Sequence, residues 1–245
     1  MKKVLILGAT SAIAQHVARL LAAKGAALYL VGRNAAQLEA VRQDVTTRGA
    51  SRADVFAVDL NDVTQHEALV ARAEAALGGL SAVLLAHGLL GNQAESEQRF
   101  EAAQEVLLTN FNGAVSLLTV VANRFEAQRS GTVIAVSSVA GDRGRQSNYV
   151  YGAAKAGLSA YLQGLRNRLH RSGVRVLTVK PGFVDTPMVA HLKKNALFAS
   201  PEQVARGIVR AAERGKDVVY LPGFWAPIMW LIRAVPESLF KRLRL

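Results

Sequence analysis

Short apolar runs alternate with helical stretches from Lys3 to Leu221, and this alternation constrains the chain more than any other feature. Lys3-Val4-Leu5-Ile6-Leu7 reads as a buried strand. Ala27–Val31, Asp54–Val58, Ser81–Ala86, Gly131–Ser137, Val174–Lys180 and Asp217–Leu221 repeat that signature. Helical patterns fill the intervals: Ile13 to Lys24-Gly25, Asn34 to Arg48, Val63 to Leu77, Gln98 to Arg129, Tyr149 to Arg171 and Pro201 to Arg214. Strands separated by helices return in the same direction. The expected fold is therefore α/β, a doubly wound parallel sheet of about seven strands with helices on both faces. No internal repeat and no Pro-, Gly- or Ser-rich linker divides the chain, so residues 1–245 are expected to form a single domain. The longest irregular segment, 182–199, follows a strand's carboxyl end, where ligand-covering loops are expected.

With 245 residues, 51% of them hydrophobic, the chain has enough apolar material for a sizeable core. It has no cysteine, which excludes a disulfide framework and thiolate chemistry. Lys2-Lys3 and the apolar residues after them fall short of a signal sequence, because Gly8 ends the run. They read as the first strand of a cytoplasmic protein. Charge is unevenly placed. Residues 1–159 carry 15 Lys+Arg against 13 Asp+Glu, whereas residues 160–245 carry 15 against 5. The net charge of +12 thus belongs mostly to the C-terminal third, which is expected to attract an anionic partner. No basic patch interleaved with aromatics is visible, so nucleic acid is not the expected one.

The first strand runs into Gly8-Ala9-Thr10-Ser11-Ala12-Ile13-Ala14 and then a helix. Strand, small-residue turn and helix N-terminus form the context in which backbone N–H groups hold a pyrophosphate. Ala12 and Ala14 stand where further glycines are usual, and alanine tolerates helical dihedrals. At the end of the second strand, an NAD-preferring site places an Asp or Glu for the ribose 2′-OH. Here that place holds Gly32, with Arg33 beside it. A guanidinium suits a 2′-phosphate, so NADP(H) is expected over NAD(H).

Tyr151 and Lys155 are four apart in a helical stretch and share a face. An ammonium so close is expected to draw the phenol's pKa down toward working pH. A tyrosine so tuned exchanges a proton with a carbonyl or alcohol oxygen. Ser138, thirteen positions upstream of Tyr151, is placed to hold that oxygen. Ser137 is its neighbour on the opposite face of the strand. Tyr149 lies off the Lys155 face and is expected in the substrate pocket or in packing.

These residues, taken together, resemble the short-chain dehydrogenase/reductase family over essentially the whole chain. The marks are Gly8, Asp59-Leu60 after the third strand, Gly88 after the fourth and Asn110 in the long helix, followed by Ser138, Tyr151-x-x-x-Lys155 and Pro181-Gly182-Phe183-Val184-Asp185-Thr186. The resemblance implies a Rossmann-type fold and an NAD(P)-dependent oxidoreductase that reduces a ketone or oxidises a secondary alcohol. It implies that Tyr151 is the acid and Ser138 orients the carbonyl. Lys155 tunes Tyr151 and binds the nicotinamide ribose, and Asn110 helps hold a relay water. It places the cofactor against Gly8, Thr10, Ser11, Ala12, Ile13, Arg33, Asp59, Leu60, Gly88, Tyr151, Lys155, Pro181, Gly182, Val184 and Thr186. It also implies a homo-oligomer built through the long helices. The chain departs from the family in its glycine turn and at Leu85-Ala86-His87-Gly88, where Asn-Asn-Ala-Gly is usual. His87-Gly88-Leu89-Leu90-Gly91, Tyr149-Val150-Tyr151-Gly152, Ala190-His191-Leu192-Lys193 and the tail from Gly215 resemble a subgroup of the family. Its members reduce decaprenylphosphoryl-2-keto-β-D-erythro-pentofuranose, which implies a lipid-linked, phosphate-bearing keto-sugar.

From Trp225, apolar residues Ile228, Met229, Ile232, Val235, Leu239 and Leu243 recur at helical spacing, with Arg233, Lys241, Arg242 and Arg244 interspersed. Pro227 and Pro236 are expected to break the run. This 225–245 extension is expected either to pack on the protein or to lie on an anionic membrane surface. Two other functions fit the sequence: a soluble reductase of acyl, steroid or sphingoid ketones, and a non-catalytic dinucleotide sensor. Isolated His87 and His191 do not argue for a metal, and none is expected.

Overall fold

A computed structural model describes residues 1–189 and 193–243. His191 and Arg244 of the resemblance and the tail lie outside the described residues. Seven strands form one sheet in the order β3-β2-β1-β4-β5-β6-β7, every neighbouring pair parallel. The strands are β1 Lys3–Leu7, β2 Ala27–Gly32, β3 Arg52–Ala57, β4 Ala82–Leu85, β5 Thr132–Val136, β6 Arg175–Pro181 and β7 Val218–Leu221. The central strands are continuous apolar runs because both of their faces are covered. Along β1, Val4 and Ile6 join one core, and Leu5 and Leu7 the other. Helices α1 (Ala12–Ala22), α2 (Ala35–Thr47) and α8 (Pro201–Glu213) cover the first face through Val17, Leu38 and Ile208. Helices α3 (His66–Leu77), α6 (Gly113–Gln128) and α7 (Tyr149–Leu169) cover the second through Leu69, Leu117 and Leu158.

The local signals work as their chemistry requires. Ser11, Asn34 and Ser200 cap α1, α2 and α8 by accepting from Ala14, Gln37 and Gln203 N–H. Gly25, at φ +72°, carries the chain away from α1. The third strand starts two residues and ends one residue earlier than its apolar run suggests. It is the sheet's edge, and its partly exposed residues blur the pattern.

The expected helix over Gln98–Arg129 is not uniform. Short helix α4 (Gln93–Gln98) precedes it, capped by Asn92, and Arg99 is extended. Then come α5 (Phe100–Leu107), a π-helical turn at Leu108–Asn112, and α6. The run Phe100–Gln128 is long and apolar enough to cross a membrane by length and composition. Its apolar face, Ala114, Leu117, Leu118, Val121 and Phe125, is packed into the core.

The tail forms α9 (Trp225–Ala234) and α10 (Glu237–Phe240). Pro236 separates them, as expected. Pro227 does not break α9, because it sits in the first turn, where its missing N–H has no intrahelical partner to lose.

Strand order reverses at β1: β2 and β3 lie on one side of it, β4 on the other. The carboxyl ends of β1, β4, β5 and β6 therefore open one crevice at the switch point, where such sheets bind ligands.

Candidate active site

A cavity of about 350 Å³ occupies that crevice. Thr10, Ser11, Ala12 and Ile13 line it from the β1–α1 turn, Gly88 from the segment after β4, and Ser138 from the end of β5. Tyr151 and Lys155 enter from the first turns of α7, and Pro181, Gly182, Val184 and Thr186 from the segment after β6. Twelve residues expected at the site from sequence thus share one space. Gly8, Arg33, Asp59, Leu60 and Asn110 are not on its wall. Leu60 is buried, and its carbonyl meets His66 Nε2 at 3.1 Å. Asp59 is exposed and accepts from Asn61 N–H.

The turn after Ser138 fixes the hydroxyl relative to α7. Ser138 Oγ accepts from Ala140 N–H at 3.1 Å, starting a 3-10 turn over Val139–Gly141. Gly141 lies against the helix backbone: a Cβ there would meet Ala156 N and Lys155 C at 2.7 Å. Only glycine permits this approach, and it sets Ser138 in the same cavity wall as Tyr151. Ser137 faces the other way, as expected. Its buried Oγ donates to Lys155 O at 3.0 Å and meets Ser159 Oγ at 2.8 Å, tying the end of β5 to the turn that carries Lys155.

The expected tuning of Tyr151 is corrected by the geometry. Lys155 Nζ lies over the Tyr151 ring, 5.7 Å from its centroid, and donates to Val136 O at 3.1 Å. Burial of the hydroxyl pushes Tyr151 up to about 12, with the Ser138 hydrogen bond acting in the opposite direction. Burial pushes Lys155 down to about 8. Spacing placed the two groups on one face, but burial, not the ammonium, sets the direction of the phenol's shift. The phenol is held in its proton-donating form.

Asn110 sits in the π-helical turn, fully buried. Its Nδ2 donates to Leu89 O at 2.6 Å and Val106 O at 2.8 Å, and its Oδ1 accepts from Leu89 N–H. It pins the segment after β4, where Gly88 lies between Asn110 Oδ1 and Lys155 Nζ. Tyr149 is exposed and does not line the cavity, which corrects its expected place in the pocket.

Other residues of the cavity wall were not anticipated. His87 lines it with both ring nitrogens buried and unpartnered, and burial pushes it down to about 3, so the imidazole is neutral. Arg145 and Asn148 come from the irregular segment before α7, where no periodicity marks them. Phe183 stacks on Phe198 at 5.2 Å and meets Trp225 edge-on at 5.6 Å, so α9 leans on the cavity wall.

The sequence profile described as short chain dehydrogenase matches residues 2–197. The chain belongs to the short-chain dehydrogenase/reductase family. An uncharacterized oxidoreductase of Mycobacterium tuberculosis is 38% identical over 240 residues, covering 98% of this chain and 96% of that protein. An uncharacterized oxidoreductase encoded in the mprA 5′ region of Streptomyces coelicolor is 38% identical over 243 residues, covering 99% and 96%. The crystal structure of levodione reductase superposes with a TM-score of 0.82 at 26% identity, covering 91% of this chain and 96% of that one.

As a short-chain dehydrogenase/reductase the protein is an NAD(P)-dependent oxidoreductase, and its turn fits the cofactor. Gly8 has φ +82°, and a Cβ on it would fall 2.5 Å from His87 N. A side chain there would fill the space between the β1 turn and the β4 segment. Ala12 and Ile13, at the N-terminus of α1, present backbone N–H groups that have no intrahelical partner. The alanines in place of glycine cost nothing visible, since Ala14 is buried in the helix and Ala12 begins it.

Proposed function

We propose that this protein reduces a ketone to a secondary alcohol with NADPH, and that its substrate is a lipid-linked keto-sugar. The observation that carries the reading is the state of Tyr151. It is a half-buried phenol, pushed up to about 12 by desolvation and set with Ser138 in the wall of the cavity that also receives the N-terminus of α1. The Ala12 and Ile13 N–H groups would hold the pyrophosphate of a nicotinamide cofactor, which would supply the hydride. The protein's own part is to place the carbonyl and deliver a proton. Ser138 hydrogen-bonds the carbonyl oxygen and aligns it with Tyr151. As negative charge grows on that oxygen, Tyr151 transfers its hydroxyl proton to it. The Lys155 ammonium, lying over the ring, stabilises the phenolate left behind. Asn110 keeps Gly88 and the β4 segment in place beside Lys155.

Arg33 supports NADPH over NADH. It stands exposed just beyond β2, whose last residue, Gly32, lies beside Thr10 of the phosphate-binding turn. No carboxylate occupies either position, and Asn34 is engaged in capping α2.

A lipid-linked substrate is supported by the cavity's apolar wall, Leu90, Val139, Phe183 and Met188 among its members, and by the tail beside it. Helix α9 buries Trp225 and Met229 but exposes Trp230 and Leu231. That outer face, in a tail that also exposes Arg233, Lys241 and Arg242, suits an anionic lipid surface.

The test is nicotinamide oxidation with NADPH and a panel of polyprenyl-phosphoryl keto-sugars, long-chain ketones and 3-oxoacyl thioesters. Turnover confined to the keto-sugars supports the reading. Turnover only with neutral ketones would make the protein a soluble ketone reductase. Full turnover by Tyr151→Phe would remove the mechanism.

A further inference from the structure

Arg145 stands alone in the wall of the cavity. Its Nε is buried without a hydrogen-bond partner, and among the described residues no carboxylate pairs with its guanidinium. The nearest acid is already engaged. Asp142 gives one oxygen to Lys180 Nζ at 2.5 Å and the other to the Tyr220 hydroxyl at 2.7 Å. Beside Arg145 in the same wall, Asn148 Oδ1 is also buried and unpartnered. Burial holds the Arg145 guanidinium below its usual value, with Asp142 acting in the opposite direction. A guanidinium N–H buried without an acceptor is costly to keep, and so is a buried amide oxygen without a donor. Both groups line the cavity that contains Ser138 and Tyr151, so a ligand seated there can satisfy them.

We infer that Arg145 and Asn148 form a substrate-recognition subsite for a ketone that carries an oxyanion, a phosphate or carboxylate, together with a hydroxyl. The guanidinium fork takes two oxygens of the anion side by side, with the free Nε as one of its donors. Asn148 Oδ1 accepts from the hydroxyl. The segment bearing both residues is held from behind. Arg143 pairs with Glu237 at 2.6 Å and lies over the Phe240 ring at 4.1 Å, so the tail helps to set the subsite's position. This inference rests on the ketone reductase reading and names what its substrate carries besides the carbonyl.

The experiment is calorimetric titration of the NADP+-saturated protein with phenyl phosphate, benzoate and benzyl alcohol, in wild type, Arg145→Gln and Arg145→Lys. Saturating cofactor keeps the probes off the pyrophosphate turn. Wild type is expected to prefer one or both anions to benzyl alcohol. Arg145→Gln is expected to weaken anion binding by about 10–100-fold, the range for a hydrogen bond to a charged group. Arg145→Lys is expected to recover part of the loss and to control for folding, and benzyl alcohol should bind all three proteins alike. Equal anion binding in wild type and Arg145→Gln overturns the inference, as does a wild type that does not prefer anions. Tyr151-dependent turnover of any ketone, measured on the same proteins, separates that failure from failure of the reductase reading.

Discussion

The indole of Trp225 occupies the space that a side chain on Gly182 would need: a Cβ there would fall 1.9 Å from Nε1 and 2.0 Å from Cε2. One contact thus joins the segment after β6, which lines the cavity, to the first turn of α9. Trp225, Met229 and Val139 pack together around it, so the tail is part of the cavity's support.

Gly182→Ala therefore forces the indole aside. Overpacking of this kind costs about 1–3 kcal/mol. The expected outcome is a lower unfolding midpoint in urea and a raised KM for the ketone. Unchanged stability and KM would show that α9 yields freely.

Lys155 sets a pH dependence whose sign is calculable. Its folded-state value of about 8 lies below the ordinary lysine value of about 10.4. Across that window the unfolded chain binds a proton that the folded chain has released, so this group makes stability rise with pH there. Reduction runs the other way, because the ammonium that supports the phenolate is lost above about pH 8. The expected kcat/KM profile has a falling limb near that pH. In Lys155→Met the limb disappears and turnover drops by about 100-fold or more. The same variant is expected to unfold no more easily than wild type at pH 7, because it removes a buried charge. Profiles of kcat/KM and thermal unfolding at several pH values check both statements.

Asp142 holds the segment before α7 to the far edge of the sheet. Its side chain is 3% exposed and the side chain of its cationic partner, Lys180, 10%. Asp142→Ala leaves Lys180 buried and unpaired and takes the acceptor from Tyr220, at an expected cost of about 3–5 kcal/mol. Tyr220, pushed up to about 12 by burial and then by Asp142, is expected to titrate lower in the variant. Denaturant unfolding and the tyrosinate absorbance measure the two effects.

The sheet and much of the site were legible because their signals are local. β1 and β4 are apolar on both faces, so their runs stand out in the sequence. The spacing of Tyr151 and Lys155 gives a shared face wherever a helix forms. The sign of the Tyr151 shift was not legible, because spacing states how near the ammonium is and nothing about how dry the phenol is. Arg145 was hidden for a related reason. Whether it is paired depends on Asp142, and Asp142 is engaged by Lys180 and Tyr220, 38 and 78 positions further on. Short α4 escaped because its six residues bury nothing and carry no apolar stripe.

Arg33 offers a prediction about cofactor choice that is independent of catalysis. It is exposed beyond β2, beside the turn that faces the cofactor. Arg33→Ala is expected to weaken NADPH binding by about tenfold or more and to leave NADH binding nearly unchanged, since only the 2′-phosphate uses the guanidinium. Fluorescence titration with each nucleotide gives both constants. An undiminished preference for NADPH would place the recognition of that phosphate elsewhere.

The outer face of α9 carries the last prediction. Trp230 is 70% exposed and Leu231 59%, on a helix whose opposite side is locked to the cavity wall by Trp225 and Met229. Neither outer residue supports the core, so replacing both with serine leaves the packing intact. On an anionic bilayer the two side chains would sink into the interface while Arg233, Lys241 and Arg242 meet the headgroups. Each apolar side chain contributes about 1.5–3 kcal/mol when fully removed from water. Co-sedimentation with phosphatidylglycerol vesicles is therefore expected for wild type, to weaken with added salt, and to fall by about 100-fold in Trp230→Ser/Leu231→Ser. Phosphatidylcholine vesicles are expected to bind wild type much less, since they lack the attracting charge. Equal and negligible binding by wild type and the double variant would leave this face without a role at lipid, and the tail would serve only to brace the cavity.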